Sequence, residues 1–108
     1  MLGLITGNHP RHLFLADKLI STGFVKCWVI ETREKFVPDS SFIQNKDLKN
    51  LFDIHFQKRE DSEKFWFSKI NNTSKDVKSL TVGEHEQNSD EVKKFLKQHS
   101  CDLVISYG

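Results

Sequence analysis

Short runs of apolar residues recur along the chain and predict buried β-strands. Residues 2–6, 24–31 and 103–106 are each rich in Leu, Ile or Val, and each has the length of a strand. Residues 77–82 form a fourth, less apolar candidate. Nearly continuous apolar strands are typical of a parallel sheet that is covered on both faces.

Segments with helical spacing lie between these runs. Leu13, Ala16, Leu19 and Ile20 fall on one face of a first helix, which we expect to end before Gly23. In the second half, apolar residues recur at helical spacing from about residue 47 to 67. Residues 32–42 and 68–76 are polar and predict loops.

A third helix is predicted near the end of the chain. Asn88 followed by Glu91 has the spacing of a capping box, with Asn in place of Ser or Thr. Val92, Phe95 and Leu96 then form an apolar stripe, and we expect the helix to end at about residues 99–100.

The resulting order of elements is β-α-β-α-β-α-β. It predicts one α/β domain over residues 1–108, a Rossmann-like three-layer αβα sandwich with a mostly parallel sheet of about four strands. Ligands of such sheets bind beyond the carboxyl ends of the strands. No helix follows the last strand, so we expect apolar surface beside it and interpret the sequence as an incomplete domain.

Composition limits the classes of partner. The chain has 16 Lys and Arg against 15 Asp and Glu, and this balance lacks the basic excess of a nucleic-acid-binding surface. No apolar run could span a bilayer, and the N-terminus lacks the features of a signal peptide. Cys27 and Cys101 lie in apparent strands and are interpreted as buried free thiols, which indicates a reducing, cytoplasmic setting without membrane association.

The loop after the first strand is the main candidate for chemistry. Its residues Gly7, Asn8, His9, Arg11 and His12 precede or open a helix, where backbone N–H groups and the helix dipole favour a phosphate or carboxylate. The alternative is an ordinary strand-to-helix turn started by Pro10, with solvated polar groups. The residues alone leave both interpretations open.

Other candidates carry weaker signals. The histidines match no metal-ligand template, so no metal is predicted. Arg59 and Glu63 share a helix face as either an ordinary exposed pair or a contact that holds the helix at a substrate mouth. The aromatic residues 65–67 are expected in the core. Glu31 lies where a dinucleotide-binding unit places its ribose-binding acid, but the glycine fingerprint is missing. No complete catalytic constellation is present.

Two stretches together resemble the N-terminal domain of the folate-dependent formyltransferases. The first runs from Leu4 through Gly7-Asn8-His9-Pro10-Arg11-His12 to Ala16 and is similar to members that formylate amino sugars. The second is Asp102-Leu103-Val104-Ile105-Ser106-Tyr107-Gly108, which resembles the strand and glycine turn that lead into the folate-binding loop. Between them, His55, Arg59, Glu63 and the following aromatic residues resemble the long helix of such proteins.

The resemblance implies transfer of a formyl group from 10-formyltetrahydrofolate to an amine, with a nucleotide-linked amino sugar as the expected acceptor. It implies substrate contacts at Gly7, Asn8, Arg11 and His12, and folate contacts at Tyr107 and Gly108. The family's catalytic Asn, His and Asp have no matching positions here, because the first two lie after the glycine turn and the Asp comes later still. We therefore expect the 108-residue chain to be inactive alone.

Two other classes stay open at this stage. A nucleotide- or NAD-binding half-domain would use the same first loop together with Glu31. A non-enzymatic interaction module would use the uncovered sheet face and the aromatic cluster, and this leaves a homodimer open.

Overall fold

A computed structural model describes residues 1–33, 39–67 and 77–108. Seven elements follow one another along the chain in the predicted alternation. They are β1 (Leu2–Gly7), α1 (Pro10–Ile20), β2 (Val25–Glu31), α2 (Lys46–Phe67), β3 (Lys78–Val82), α3 (Asp90–Gln98) and β4 (Leu103–Tyr107). The loop predicted over residues 68–76 lies outside the described residues, as does the middle of the loop predicted over residues 32–42.

The four strands form one parallel sheet in the order β3-β2-β1-β4. β1 is therefore a central strand, with β2 on one side and β4 on the other. The chain moves outward from β1 through β2 to β3 and then returns across β1 to β4. The carboxyl ends of β1 and β4 consequently form the topological switch point at which open α/β sheets bind ligands. The prediction of a partial Rossmann-like α/β fold is confirmed.

Side chains of alternating direction divide the core into two layers. On one face, Ala16 and Ile20 of α1 pack on Leu4 and Val25. On the opposite face, Val92 of α3 packs against apolar side chains of the sheet, Val29 and Val82. The apolar stripes predicted for the first and third helices thus pack on opposite faces of the sheet.

The third helix begins one residue later than the capping-box spacing predicts. Ser89, in an extended conformation, is the N-cap, and Asp90 opens the helix. The Asn88 prediction was wrong because Asn88 and Ser89 are both good capping residues, and only the backbone path distinguishes them. The helix ends as predicted, with His99 at the C-cap.

Among the helices, α2 differs most from the prediction, which placed its aromatic residues in the core. It buries no residue and packs beside α1 through Phe67, whose ring lies 5.3 Å from that of Phe14. Phe65 and Trp66 are 73% and 68% exposed, so the core prediction was wrong for both. Successive helical residues are about 100° apart, and a helix that contacts its neighbour through one narrow face leaves such adjacent side chains in solvent.

Apolar surface is also exposed at the edge strand β4, as expected. Leu103 and Val104 are 61% and 37% exposed. Cys101, by contrast, was wrongly placed in a strand, because it lies in the turn before β4 and is only half-buried. Both cysteines are free thiols, as predicted.

Candidate functional site

The two ends of the sequence that suggested ligand binding lie side by side at the switch point. β1 pairs with β4 in a register that sets Thr6 beside Tyr107. Gly108 follows directly, and a Cβ atom on it would lie 3.5 Å from the backbone nitrogen of Gly7. The predicted substrate loop and the predicted folate edge thus share one site, although almost the whole chain separates them.

His12 is the buried centre of this site. Its ring lies against Gly7, where a Cβ atom would come within 2.5 Å of His12 Nδ1. A side chain at position 7 would therefore displace the imidazole. The ring also makes an edge contact with Tyr107 at 5.3 Å and stacks on His9 at 5.1 Å. The histidine is fully buried.

A hydrogen bond to His12 identifies which ring nitrogen carries the proton in the neutral imidazole. The backbone N–H of His9 donates to His12 Nδ1 over 3.3 Å, so Nδ1 is the acceptor and Nε2 carries the proton. Nε2 is buried near Gly108 and donates to no acceptor among the described residues. A buried N–H without an acceptor is costly, and its direction marks the place where a ligand oxygen would be most stabilised.

Both histidines are held in the neutral state. Burial, followed by repulsion from the Arg11 guanidinium, lowers the pKa of His12 from 6.5 to about 4. The same two causes lower the pKa of His9. At neutral pH, His12 is therefore a neutral hydrogen-bond donor and not a cation.

Arg33 connects the strand ends through hydrogen bonds, and it was not among the site residues predicted from the sequence. Its backbone N–H donates to Asn8 Oδ1 over 3.1 Å, which joins the loops after β1 and β2. Its Nε donates to Glu31 Oε1 at 2.8 Å, and its Nη2 donates to the Gly108 carbonyl at 3.0 Å. The sequence feature that could have identified Arg33 is its position two residues after a buried strand, at the ligand-binding edge of the sheet.

A small polar cavity lies on the α3 side of the same strand ends. It encloses about 90 Å³ and is lined by the polar side chains of Glu31, Arg33, Gln87 and Ser106, among others. The Oε1 atom of Gln87 is buried and accepts no hydrogen bond from the described residues. Pockets that bind drug-sized ligands measure about 300–1,000 Å³, so this cavity has room for one functional group of a ligand and not for a whole cofactor.

The N-terminus of α1 already holds an anion of the protein itself. Glu63 of α2 accepts a hydrogen bond from the Arg11 backbone N–H at 3.2 Å. Its two carboxylate oxygens also lie 3.0 and 3.1 Å from Arg11 Nη1. The N–H groups of the next two residues donate to the His9 carbonyl. A ligand anion at this end of α1 would therefore have to replace Glu63.

The same contact bears on the expected pairing of Arg59 with Glu63. In the described residues the carboxylate of Glu63 pairs with Arg11, so the expectation of an ordinary Arg59–Glu63 pair was wrong. The contact instead holds α2 against the start of α1. That a substrate binds beside this contact stays a prediction. Sequence spacing within one helix could not reveal a partner that lies 52 residues away.

The remaining predictions at the strand ends concern Glu31 and a metal ion. The Glu31 side chain is buried at the end of β2, and its carboxylate is paired with Arg33. A ribose at this position would compete with that ion pair. Within the described residues, no group of three or more His, Cys, Asp or Glu side chains could hold a metal ion.

Comparisons with known proteins add no information about this site. No family model, no curated protein and no solved structure matches the chain. Among the described residues, no helix combines the length and apolar character needed to cross a bilayer.

Proposed function

We propose that this chain forms the N-terminal, ligand-binding part of a folate-dependent formyltransferase that acts in the cytoplasm. One observation carries the proposal. The loop from Gly7 to His12 and the Tyr107–Gly108 turn, the two segments with the family resemblance, meet at the switch point of the sheet. All strand-end loops of a parallel sheet lie at this edge, so the support comes from the direct contact of these two segments beside the buried His12 ring.

In the proposed reaction, an amine attacks the formyl carbon of 10-formyltetrahydrofolate, and tetrahydrofolate leaves. The tetrahedral intermediate carries an oxyanion that hydrogen-bond donors stabilise. The family's catalytic Asn, His and Asp have no matching positions in these 108 residues, so the role proposed for this chain is binding. The acceptor is proposed to be a nucleotide-linked amino sugar.

Three features of the described residues support the two proposed ligands. Tyr107 is 40% exposed beside the strand ends and offers an aromatic face to a pterin ring. The small cavity beneath Gly108 accommodates a single polar group. The His12 Nε2–H donor, buried near Gly108, suits a carbonyl or phosphate oxygen at the junction of the two segments.

Calorimetric titration of the purified chain with 5-formyltetrahydrofolate and with a nucleotide-linked amino sugar tests the proposal. We expect saturable binding of both compounds. Tyr107→Ala is expected to weaken folate binding several-fold and to leave sugar-nucleotide binding unchanged. Phe24→Ala, which removes an exposed aromatic ring at the opposite end of the sheet, is the matched control. Absence of binding by both compounds contradicts the proposal.

A transfer assay tests the separate expectation that the chain alone is inactive. Radiolabelled formyl transfer from 10-formyltetrahydrofolate to the amino sugar should stay at the uncatalysed rate. Measurable acceleration would show that residues on this chain perform the chemistry. NAD serves as a further ligand in the binding assay, because saturable NAD binding abolished by Glu31→Ala would favour a dinucleotide-binding half-domain instead.

A further inference from the structure

The two cysteines of the chain lie together, although 73 residues separate them in sequence. Cys27 is paired in register with Gly3 of β1, so its side chain projects from the same face of the sheet as that of Gly3 would. Cys101, in the turn after α3, covers the same glycine. A Cβ atom on Gly3 would lie 3.1 Å from Cys101 Cβ and 3.3 Å from Cys101 Sγ. The missing side chain of Gly3 makes room for the two thiols to approach each other.

The two thiols differ in their access to solvent. Cys27 is completely buried, whereas Cys101 is half-buried and has its Sγ 3.8 Å from the His99 carbonyl. Burial, followed by a hydrogen bond with Cys101, raises the pKa of Cys27 to about 12. A reagent in solution therefore meets Cys101 first, and Cys27 is placed to react only with a partner that is already inside the protein.

We propose that Cys27 and Cys101 form an oxidative modification site that closes to an intramolecular disulfide. The oxidant is a low-molecular-weight disulfide such as oxidised glutathione. The Cys101 thiolate attacks one glutathione sulfur, and one reduced glutathione leaves with the proton from Cys101. Cys27 then attacks the Cys101 sulfur, and its proton goes to the second departing glutathione. Two protein thiols are oxidised, and one glutathione disulfide is reduced to two thiols.

The site is independent of the proposed function. Gly3 and Cys101 lie at the amino-terminal ends of β1 and β4, whereas the candidate ligand site lies at the carboxyl ends. The closed disulfide would link β2 to the turn between α3 and β4 across the central strand. It would therefore fasten the edge strand β4 to the sheet without blocking the ligand edge.

Mass spectrometry of the folded chain after treatment with oxidised glutathione tests this proposal. Remaining thiols are then blocked with iodoacetamide in guanidinium, which exposes the buried Cys27, and the protein is digested without reduction. We expect a protein lighter by two hydrogen atoms, no alkylation, and a single cross-linked peptide pair that contains Cys27 and Cys101. A stable glutathione adduct on Cys101 with an alkylatable Cys27, or a chain that takes up no oxidant, overturns the proposal.

Two variants and one denaturing condition test whether the disulfide forms because the fold holds the two thiols together or only because both thiols are reactive. Cys27→Ala should accumulate the glutathione adduct on Cys101, because the resolving thiol is absent. Cys101→Ala should remain unmodified, because Cys27 is buried. In concentrated guanidinium, the wild-type chain should accumulate adducts on both cysteines, since the fold no longer holds them together. Equal partition between adduct and disulfide in the folded and the denatured chain would also overturn the proposal.

Discussion

Replacing Glu63 with Gln should destabilise the fold, although Glu63 lies on α2, a helix that buries no residue. The carboxylate accepts hydrogen bonds from both the backbone and the guanidinium of Arg11. It also lies at the N-terminus of α1, where a negative charge is favoured. Gln keeps the size of the side chain and one carbonyl acceptor but removes the charge, so the substitution isolates the electrostatic part of the contact.

The structure sets the expected magnitude. Hydrogen bonds to charged groups contribute about 1.5–3 kcal/mol, but the Arg11 and Glu63 side chains are 29% and 11% exposed, which screens part of that attraction. We therefore expect a loss of about 1–2 kcal/mol in the free energy of unfolding for Glu63→Gln. The loss should shrink in high salt, because the contact is only partly buried.

Urea unfolding followed by circular dichroism measures this loss, and α2 itself supplies the control. Glu60 lies on the same helix and pairs with Lys64 over 3.0 Å, but the two side chains are 20% and 59% exposed. Glu60→Gln should therefore cost only about 0.3–0.5 kcal/mol. A double-mutant cycle with Arg11→Ala should give a coupling free energy of about 1 kcal/mol. Equal losses for the two Gln variants, together with zero coupling, would refute the reasoning.

Three further predictions concern His12, Gly7 and the core residue Trp28. The pKa of His12 is about 4 in the folded chain and near 6.5 when unfolded, so the unfolded chain takes up the proton first. The contribution of His12 to stability should therefore be complete above pH 6.5 and fall between pH 6.5 and 4. Urea titrations of the wild type and of His12→Gln at several pH values check this, and an identical pH dependence of the two proteins would contradict it. In urea unfolding, Gly7→Ala should lower the free energy of unfolding by about 1–3 kcal/mol, because the added Cβ meets the His12 ring. Gly23→Ala, at a position with positive φ that faces open space, should cost only about 1 kcal/mol. A larger loss for Gly23→Ala than for Gly7→Ala would be inconsistent with the packing. Trp28→Phe should cost about 1 kcal/mol in the same assay because the indole N–H donates to Thr6 Oγ1 at 2.9 Å, and no loss would mean that this bond contributes nothing net.

The order of strands and helices could be predicted because it depends on local patterns. Apolar runs of strand length and apolar residues at helical spacing reflect which faces of each segment must leave water. The parallel sheet followed from the alternation of these segments. The same reasoning failed for Phe65 and Trp66, because their apolar character does not reveal that α2 contacts its neighbour through one narrow face.

The candidate site was predictable in location but not in its contacts. Parallel strands bring their carboxyl ends to one edge, so Gly7 and Gly108 could be expected near each other once the sheet was inferred. The contacts of Arg11 with Glu63 and of Arg33 with Gly108 could not be read from the sequence. Each joins residues more than 50 positions apart and has no local signature.

The sequence by itself determined the element types, their order and the edge of the sheet where ligands would bind, because local periodicity and strand chirality decide these features. Only the tertiary structure decided which charges neutralise each other, that His9 and His12 are buried, and that Cys27 and Cys101 meet over Gly3. These outcomes depend on the register and twist of distant segments, where a shift of one residue moves every side chain to the opposite face.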